Sequence, residues 1–593
     1  MSAQARLGTV AIAAVVCIGA VSAGEDAPES TIVRFPSRAA LLSQYAPTQA
    51  RMIETLGFYS PGDGGRAAYV RMGGKPPRTD PTMLQTPDGV WWRMTAPVIS
   101  AKAFGAKGDG VSDDTAPITD FFAGVAAAGA RGVIPKGVYA VDPITVSVGG
   151  WVVEGAGTTL TTLRPRAPDQ SYVLFLTETA NNVALADLGI LGGVREQPGG
   201  RALVGLQADT TGSAIRNIRI ESADTCMWMR QGGHNHVDKI YLASCGKNYL
   251  HTGATPKCES GKRFGSSAFS NVTVDARFLT STLPKFGSPE FALALEGLSG
   301  VAFNIDSCSI YLKFDHMTSA GTKIGWWIHN DLGSAFNPDG IFMNDINSDW
   351  GAFEQFLVER ANMIDVDHAW LRSLGGPAAR LENFQNAHLH HFNAYASHSG
   401  VEIGGPFFEL TMDDPAIGGN GWPKNEHAVN LHLTSGAGRV QINGGEIANT
   451  SSLNSDRPIL SVGTTTDYNI VAERDFTGSF ELIGTDLRGA RVASTKGLIG
   501  RGNTMLAPGG GVVLENRGAA SVTTNESGIG AIAHGLYNGP EGVVPNVHFV
   551  QVSAEGLIAR TIKADATRLF VQINKASGEP FAGPVSIMWS AAR

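Results

Sequence analysis

Short apolar segments recur along most of the chain, and within each of them apolar residues alternate with polar or variable ones. Examples are VLFLTE, LVGLQA, WWIHND, ARLENF and VNLHLT, and turns rich in glycine, asparagine and aspartate separate them. A period of two places one set of side chains in a core and the other set on the surface of a sheet. The pattern therefore predicts an all-β chain built from many short strands.

The spacing of these strands indicates a solenoid. The positions that we align as equivalent and inward-facing are Leu206, Met229, Leu250, Leu295, Ile328, Val358, Leu381, Ile403 and Leu433. Successive steps between them are 23, 21, 45, 33, 30, 23, 22 and 30 residues. A step near 22 predicts one bare coil, and a longer step predicts a coil with an inserted loop. Because the alignment uses the hydrophobic pattern alone, it could slip by two residues.

An aspartate- and glycine-rich stretch, AFGAKGDGVSDDT at residues 103–115, precedes the repeat. Its spacing fits neither a phosphate loop nor a calcium loop. The next residues, TAPITDFFAGVAAAGARG, predict a helix that Asp113 or Asp114 caps and that runs to about Ala130, with Gly132 beyond its end. The strand VIPKGVYAV follows.

This order of loop, alanine-rich helix and strand resembles the entry of right-handed parallel β-helix proteins of the pectate-lyase superfamily. The resemblance implies a right-handed parallel β-helix with a short N-terminal capping helix. It also implies a carbohydrate substrate. The superfamily includes polysaccharide lyases, glycoside hydrolases, uronan epimerases and phage tailspikes, so the resemblance does not select a reaction.

The chain divides into four predicted regions. Residues 1–23 read as a secretion signal cut after Ala23, which predicts a secreted or periplasmic protein. Residues 31–98 form a small head module, 99–505 the β-helix and 506–593 a C-terminal module resembling a β-sandwich. The resemblance of this last module to terminal modules of phage-type and secreted β-helices implies a homotrimer.

Composition excludes several partners. The net charge of −8 argues against nucleic acid, and the apolar run of the signal is shorter than the ~20 residues of a membrane span. The remaining cysteines are Cys226, Cys245, Cys258 and Cys308, and they contain no CxxC pair for zinc. Either a Cys245–Cys258 disulfide or buried thiols would fit. We expect no cofactor.

Polar groups beside the inward positions are the candidates for chemistry, because equivalent residues of successive coils stack ~4.8 Å apart. Glu359 and Glu382, on adjacent coils, form the predicted carboxylate pair of a glycosidase, close enough for like-charge repulsion to keep one protonated. Further catalytic candidates on the same wall are Glu296, His329, Asp345 and Asp349. Asp306 and Asp367 fit either turns or function.

Aromatic and cationic groups on this wall predict sugar binding, since pyranose faces stack on rings while hydroxyls and carboxyls need polar partners. The candidates are Trp228, Arg230, Tyr249, His251, Trp327 and Arg380. The histidine-rich stretch HLHHFNAYASH does not predict a metal site, because alternation sends neighbours to opposite faces.

Three functions remain open. A hydrolase needs the acidic pair and no metal. A β-eliminating lyase acting on a uronic acid needs a base and a cation, which His251, His329, Arg230 and Arg380 could supply. A glycan-binding spike or adhesin needs the aromatic column alone. The calcium-binding aspartates of pectate lyases and the paired aspartates of polygalacturonases are not recognisable. The sequence favours an exported glycan-degrading enzyme, with hydrolysis ahead of elimination.

Overall fold

The computed structural model describes a large part of the chain beyond residue 31. The described ranges are 32–44, 49–167, 169–193, 202–253, 258, 262–276, 300–330, 333–395, 397–418, 420, 429–448, 470–473, 475–485, 492–494, 498–501, 513–533, 546–552, 554, 556–564 and 568–592. The predicted secretion signal and Glu296 lie outside these residues. No helix among them is long and apolar enough to cross a bilayer.

A small mixed sheet forms the N-terminal head. Its strands are Ile32–Phe35, Met52–Thr55, Ala67–Arg71, Met83–Gln85 and Trp91–Met94, with the helix Arg38–Ser43 after the first strand. The buried side chains of Trp92, Tyr69 and Leu41 fill its core.

A helix from Thr115 to Ala128 covers the start of the solenoid and buries Phe121 and Phe122. The helix ends within two residues of the predicted Ala130, and its C-cap is Gly129, in the left-handed conformation (φ 59°), rather than Gly132. The carboxylate of Asp113 accepts from the backbone N–H of Thr115. Asp114, at the N-cap position, instead accepts from the backbone of Lys107 and Gly108, so this aspartate folds the preceding loop.

Thirteen strands of the described chain form one parallel sheet, which we name the front sheet. They are Ile144–Val146, Leu174–Leu176, Val204–Ala208, Thr225–Met229, Asn248–Thr252, Val301–Ile305, Ile324–Ile328, Phe356–Val358, Pro377–Glu382, Ser399–Gly404, Leu431–Leu433, Ile470–Ala472 and Val492–Ser494. Each strand pairs with the strand of the next coil, as in a parallel β-helix.

The remaining walls of the solenoid belong to a second sheet, which we name the back sheet and which also takes in C-terminal strands. Its described strands are Val98–Ser100, Asp109–Asp113, Arg131–Ile134, Gly137–Val141, Val152–Gly155, Thr161–Pro165, Ala184–Leu191, Ala214–Glu221, Gly232–Gly233, His236–Ala243, Phe264–Gly265, Ala268–Asp275, Ser309–Ala320, Asp339–Gly351, Ala361–Ser373, Phe384–Tyr395, Glu409–Asp413, Ala416–Gly418, Arg439–Asn443, Glu446–Ala448, Ser479–Ile483, Leu498–Arg501, Val513–Thr524, Asn546–Val552 and Gly583–Ala592. Several long strands of the solenoid turn a corner at a residue in the left-handed conformation, as at Asn217 and Asn271.

The last strands pair antiparallel. Val513–Thr524 and Asn546–Val552 flank Gly583–Ala592, and a separate sheet holds Ile529–Ala533, Arg568–Lys575 and Leu557–Ala564. Side chains from both sheets, including Ile532, Val571 and Ile587, are buried in the hydrophobic core. The architecture is thus the expected right-handed parallel β-helix with a head module, a capping helix and a sandwich-like C-terminal module.

The inward alignment is correct over the later coils and slips by two residues over the earlier ones. Ile328, Val358, Leu381, Ile403 and Leu433 occupy one row. In the earlier coils Leu206 pairs with Met227 rather than Met229. Both methionines are buried, so a period of two could not distinguish them.

The cysteines form two disulfides, neither of them the Cys245–Cys258 pair. Cys226 is bonded to Cys245 and Cys258 to Cys308. The first bond joins a front-sheet strand to the turn that follows a back-sheet strand. Coil packing brings these residues together, which sequence spacing could not reveal.

Candidate functional site

The outward face of the front sheet carries a column of mostly polar and aromatic side chains. The register places in it Phe175, Gln207, Trp228, His251, Asn304, Trp327, Leu357, Arg380, Glu402 and His432. Four of the six predicted sugar-binding residues therefore share one column. Trp228 and His251 stack with their rings 5.1 Å apart and nearly parallel.

A buried carboxylate lies beside the middle of the column, just past the end of one front-sheet strand. Asp306 follows the strand Val301–Ile305 and is only 5% exposed. Its oxygens lie 3.9 Å from Nε2 of His251 and 3.7 Å from Nδ1 of His329. Burial by itself would raise the pKa of Asp306, but the facing imidazoles and the backbone N–H of Ser307 outweigh it and hold the pKa below 3.8. An anionic aspartate therefore sits between two histidines.

His329 connects this aspartate to the predicted catalytic glutamate. Its Nε2 lies 2.8 Å from Oδ1 of Asn304, and its ring stacks under that of Trp327 at 3.8 Å. The indole N–H of Trp327 donates to the carboxylate of Glu359 at 2.9 Å. The packed chain from Asp306 through His329 and Trp327 thus fixes the direction of the Glu359 carboxylate.

Glu382 stands on the next coil. The strand residues Val358 and Leu381 pair, so the residue that follows each of them, Glu359 and Glu382, comes from neighbouring coils at the same edge of the front sheet. Glu382 is half-buried, and its partner in the following coil, Gly404, has no side chain to cover it. Within the described residues, the Glu382 carboxylate has no hydrogen bond or ion pair. It is therefore available to a ligand.

Both arginines of the wall are already engaged by carboxylates. Arg380 contacts Glu354 and Glu402, each at 3.1 Å. Arg230 donates from Nε to Asp209 at 2.9 Å, and the Asp209 side chain is almost fully buried. The guanidinium of Arg230 also lies over the ring of Trp228 at 5.5 Å. These contacts fix the arginines as parts of the wall.

A cleft of about 610 Å³ adjoins Arg230, beyond the ends of the front-sheet strands. Its lining includes Asp209, Gln231, Lys262 and Arg263, and Lys262 pairs with Glu178 across it. Both signs of charge and several polar groups are present. The cleft could therefore extend the surface available to a long polar ligand.

Three predicted site residues do not lie on this wall. Tyr249 is fully buried, because it precedes the inward-facing Leu250 at a position where the coil already turns into the core. Asp345 and Asp349 belong to the back-sheet strand Asp339–Gly351. Asp345 pairs with His316, and Asp349 lies near Arg372, which opposes the rise in the pKa of Asp349 that burial causes. The strand that holds these aspartates belongs to the other wall of the coil.

Sequence reasoning missed the central residues of the cluster. Asn304 lies in the column but was not aligned, because the inward position of its coil was placed at Leu295. For Asp306, the sequence pattern fits a turn residue and a functional residue equally well. The signal that could have found both is the strand VAFNI followed by Asp306, which the strand pattern alone identifies as another coil.

No family model matches the sequence, and no curated protein matches it. The fold is similar to solved β-helix structures. The tailspike gp49 of Acinetobacter baumannii bacteriophage Fri1, a capsular polysaccharide depolymerase, is 10% identical over 94% of this chain and 97% of its own, with a TM-score of 0.44.

Two further structures are similar in the same way. The catalytic unit of a GH87 α-1,3-glucanase from Streptomyces thermodiastaticus is 14% identical over 71% of this chain and 73% of its own (TM-score 0.46). The A-module of a mannuronan C-5 epimerase from Azotobacter vinelandii is 14% identical over 69% and 99% (TM-score 0.40). At these identities the likeness concerns the fold alone.

Proposed function

We propose that this protein is an exported enzyme that hydrolyses glycosidic bonds of a polysaccharide bound along the front sheet. Glu359 and Glu382 are the proposed catalytic carboxylates. The observation that carries the proposal is their place on neighbouring coils beside Trp327, whose indole N–H holds one of them at 2.9 Å. Hydrolysis requires two carboxyl groups, one to protonate the leaving oxygen and one to act as base or nucleophile.

The surrounding residues have supporting roles in this proposal. Trp228 and Trp327 offer partly exposed aromatic rings to sugars, and His251 and His329 stack on them. His329 is a positioning residue, because it touches Trp327 and Asp306 and reaches Glu359 only through the indole. Asp306 and Asn304 in turn hold the His329 ring.

The charge of the wall favours hydrolysis over β-elimination. Elimination on a uronic acid needs a cation that neutralises the substrate carboxylate. Arg380 already has two carboxylate partners, and Arg230 is paired with the buried Asp209. Three further acids, Asp306, Glu359 and Glu382, lie beside the column in the described part of the chain. A polyuronate would meet repulsion here, so we propose a glycan with few carboxylates.

Export is part of the proposal. The two disulfides fit an oxidising compartment, because cytosolic thiols are kept reduced. They agree with the secretion signal predicted for residues 1–23.

The test compares wild type with Glu359→Gln and Glu382→Gln on a panel of neutral and acidic polysaccharides. Reducing ends measure cleavage, and ultraviolet absorbance detects the unsaturated uronide that only elimination produces. We expect new reducing ends without absorbance, and a loss of at least about 100-fold in each variant. Glu409→Gln is the matched control, since Glu409 is partly exposed on the back sheet and paired with Arg439.

Three outcomes would contradict the proposal. Full activity in both variants would exclude Glu359 and Glu382 as the catalytic carboxylates. Absorbance from a cleaved uronide would establish elimination. Glycan binding by a wild-type protein that cleaves no polysaccharide of the panel would favour a binding spike.

A further inference from the structure

A second group of ionisable side chains lies on the back sheet, away from the proposed glycan site. His368 and His391 belong to the neighbouring strands Ala361–Ser373 and Phe384–Tyr395. The register pairs the residues that follow them, Ala369 and Phe392, so the two histidines occupy equivalent places on consecutive coils. Both residues have a left-handed backbone conformation, with φ of 55° and 47°, and each lies where its strand turns a corner.

The shared backbone conformation aligns the two imidazoles. Their ring centroids are 4.4 Å apart and the planes differ by 15°. Asp367 lies between them, and its Oδ1 is 2.9 Å from Nδ1 of His368 and 3.1 Å from Nδ1 of His391. One potential ligand atom from each residue lies within 4.8 Å of the other two. Two nitrogens and one oxygen therefore converge on a single point at the surface.

These distances match the spacing of ligands around a small metal ion. Bonds of 2.0–2.2 Å to nitrogen and oxygen in a tetrahedron separate neighbouring ligands by about 3.3 Å. The two nitrogen–oxygen distances are already within a few tenths of an ångström of that value. Binding would thus require little movement of the aspartate and histidines.

The donor set selects the class of ion. Imidazole with carboxylate suits Zn²⁺, Ni²⁺ and Cu²⁺, whereas Ca²⁺ and Mg²⁺ prefer oxygen alone. The side chains of His368, His391 and Asp367 are 58%, 51% and 43% exposed, so an ion can enter from solvent and keep water in its remaining positions. We propose that Asp367, His368 and His391 form a binding site for one borderline divalent ion, with zinc as the reference ion.

The histidine-rich stretch alone could not predict this site. The prediction that alternation sends its neighbours to opposite faces is wrong at His390 and His391, because the left-handed conformation of His391 leaves both side chains at the surface. His390 pairs with Asp413 at 3.1 Å, while His391 faces Asp367. The second imidazole comes from His368, one coil earlier. An ion held here would cross-link two consecutive coils and stabilise the solenoid by an amount that rises with the logarithm of the ion concentration above the dissociation constant.

The experiment titrates ZnCl₂ into the tag-free full chain, stripped of metal with a chelator, by calorimetry, and measures thermal unfolding with and without zinc. We expect about one ion per chain and a higher unfolding temperature with zinc. His368→Gln and His391→Gln should each weaken zinc binding at least about 10-fold. Both side chains are exposed, and unfolding in chelator verifies that the variants fold.

His316→Gln is the matched control. His316 is also a left-handed corner residue and contacts two carboxylates, Asp315 and Asp345, at 3.0 and 3.4 Å, but within the described part of the chain no second imidazole joins this group. Its loss should leave zinc binding unchanged. Wild type that binds no zinc at about 100 µM, or binding that survives both site variants, would overturn the proposal. The readouts involve no glycan, so they are independent of the proposed hydrolysis.

Discussion

Loss of the Cys226–Cys245 disulfide should destabilise the protein by an amount that loop length sets. The bond joins residues 19 apart in sequence whose Cα atoms are 5.8 Å apart. Closing a loop of this length removes conformational entropy from the unfolded chain, and this is worth about 3 kcal/mol at 25 °C. The second bond, Cys258–Cys308, closes 50 residues and should contribute about 4 kcal/mol.

Each bond can be measured alone. In a Cys258→Ala/Cys308→Ala background only the first disulfide remains, so urea unfolding with and without reductant isolates its contribution. We expect the oxidised form to be more stable by about 3 kcal/mol. Further replacement of Cys226 and Cys245 by alanine should abolish the effect of reductant, which separates the cross-link from any change in packing.

The reciprocal background, Cys226→Ala/Cys245→Ala, should show the larger effect of the longer loop. Equal stability of oxidised and reduced protein in both backgrounds would refute the loop-closure reasoning. A larger effect for the shorter loop would refute its dependence on length.

Three further predictions concern single side chains. Trp326→Ala should lower the free energy of unfolding in urea by about 3–5 kcal/mol, because this tryptophan is fully buried and stacks on Phe303 at 4.2 Å. Trp327→Ala, on the surface, should change stability little but weaken glycan binding. Equal destabilisation by the two substitutions would contradict the register. Asp306 has a folded pKa below 3.8, so its stabilising contribution is complete above that pH and is lost as the pH falls further. Asp306→Asn should therefore flatten the acid side of a curve of unfolding free energy against pH. An unchanged acid side would exclude this role. Burial lowers the pKa of His398 below 6.5, so the unfolded chain takes up a proton more readily and stability should fall as the pH drops below 6.5. If His398→Asn leaves the slope of unfolding free energy against pH unchanged between pH 7 and 5, this prediction is wrong.

Some of the candidate site could be predicted from the sequence and some could not. Alternation along WWIHND correctly separates the buried Trp326 and Ile328 from the outward Trp327. The sequence also predicted that Glu359 and Glu382 lie on adjacent coils, because each follows the last apolar residue of its strand and these residues, Val358 and Leu381, pair in the sheet. The prediction that Tyr249 faces outward was wrong, because the start of its strand turns inward and alternation fails there. Coils with long insertions hid Asn304, because a change of loop length breaks the spacing on which the alignment depends.

The sequence by itself determined the period of two, the coil length near 22 residues, the capping helix and hence the class of fold, because these follow from local backbone preferences and from which residues avoid water. Only the tertiary structure decided which side chains from different coils lie beside one another. The disulfide partners, the Asp306 cluster between His251 and His329, and the meeting of His368 with His391 all join residues from different coils. Such contacts depend on the exact register between strands, and a hydrophobic pattern that repeats every two residues leaves that register undetermined.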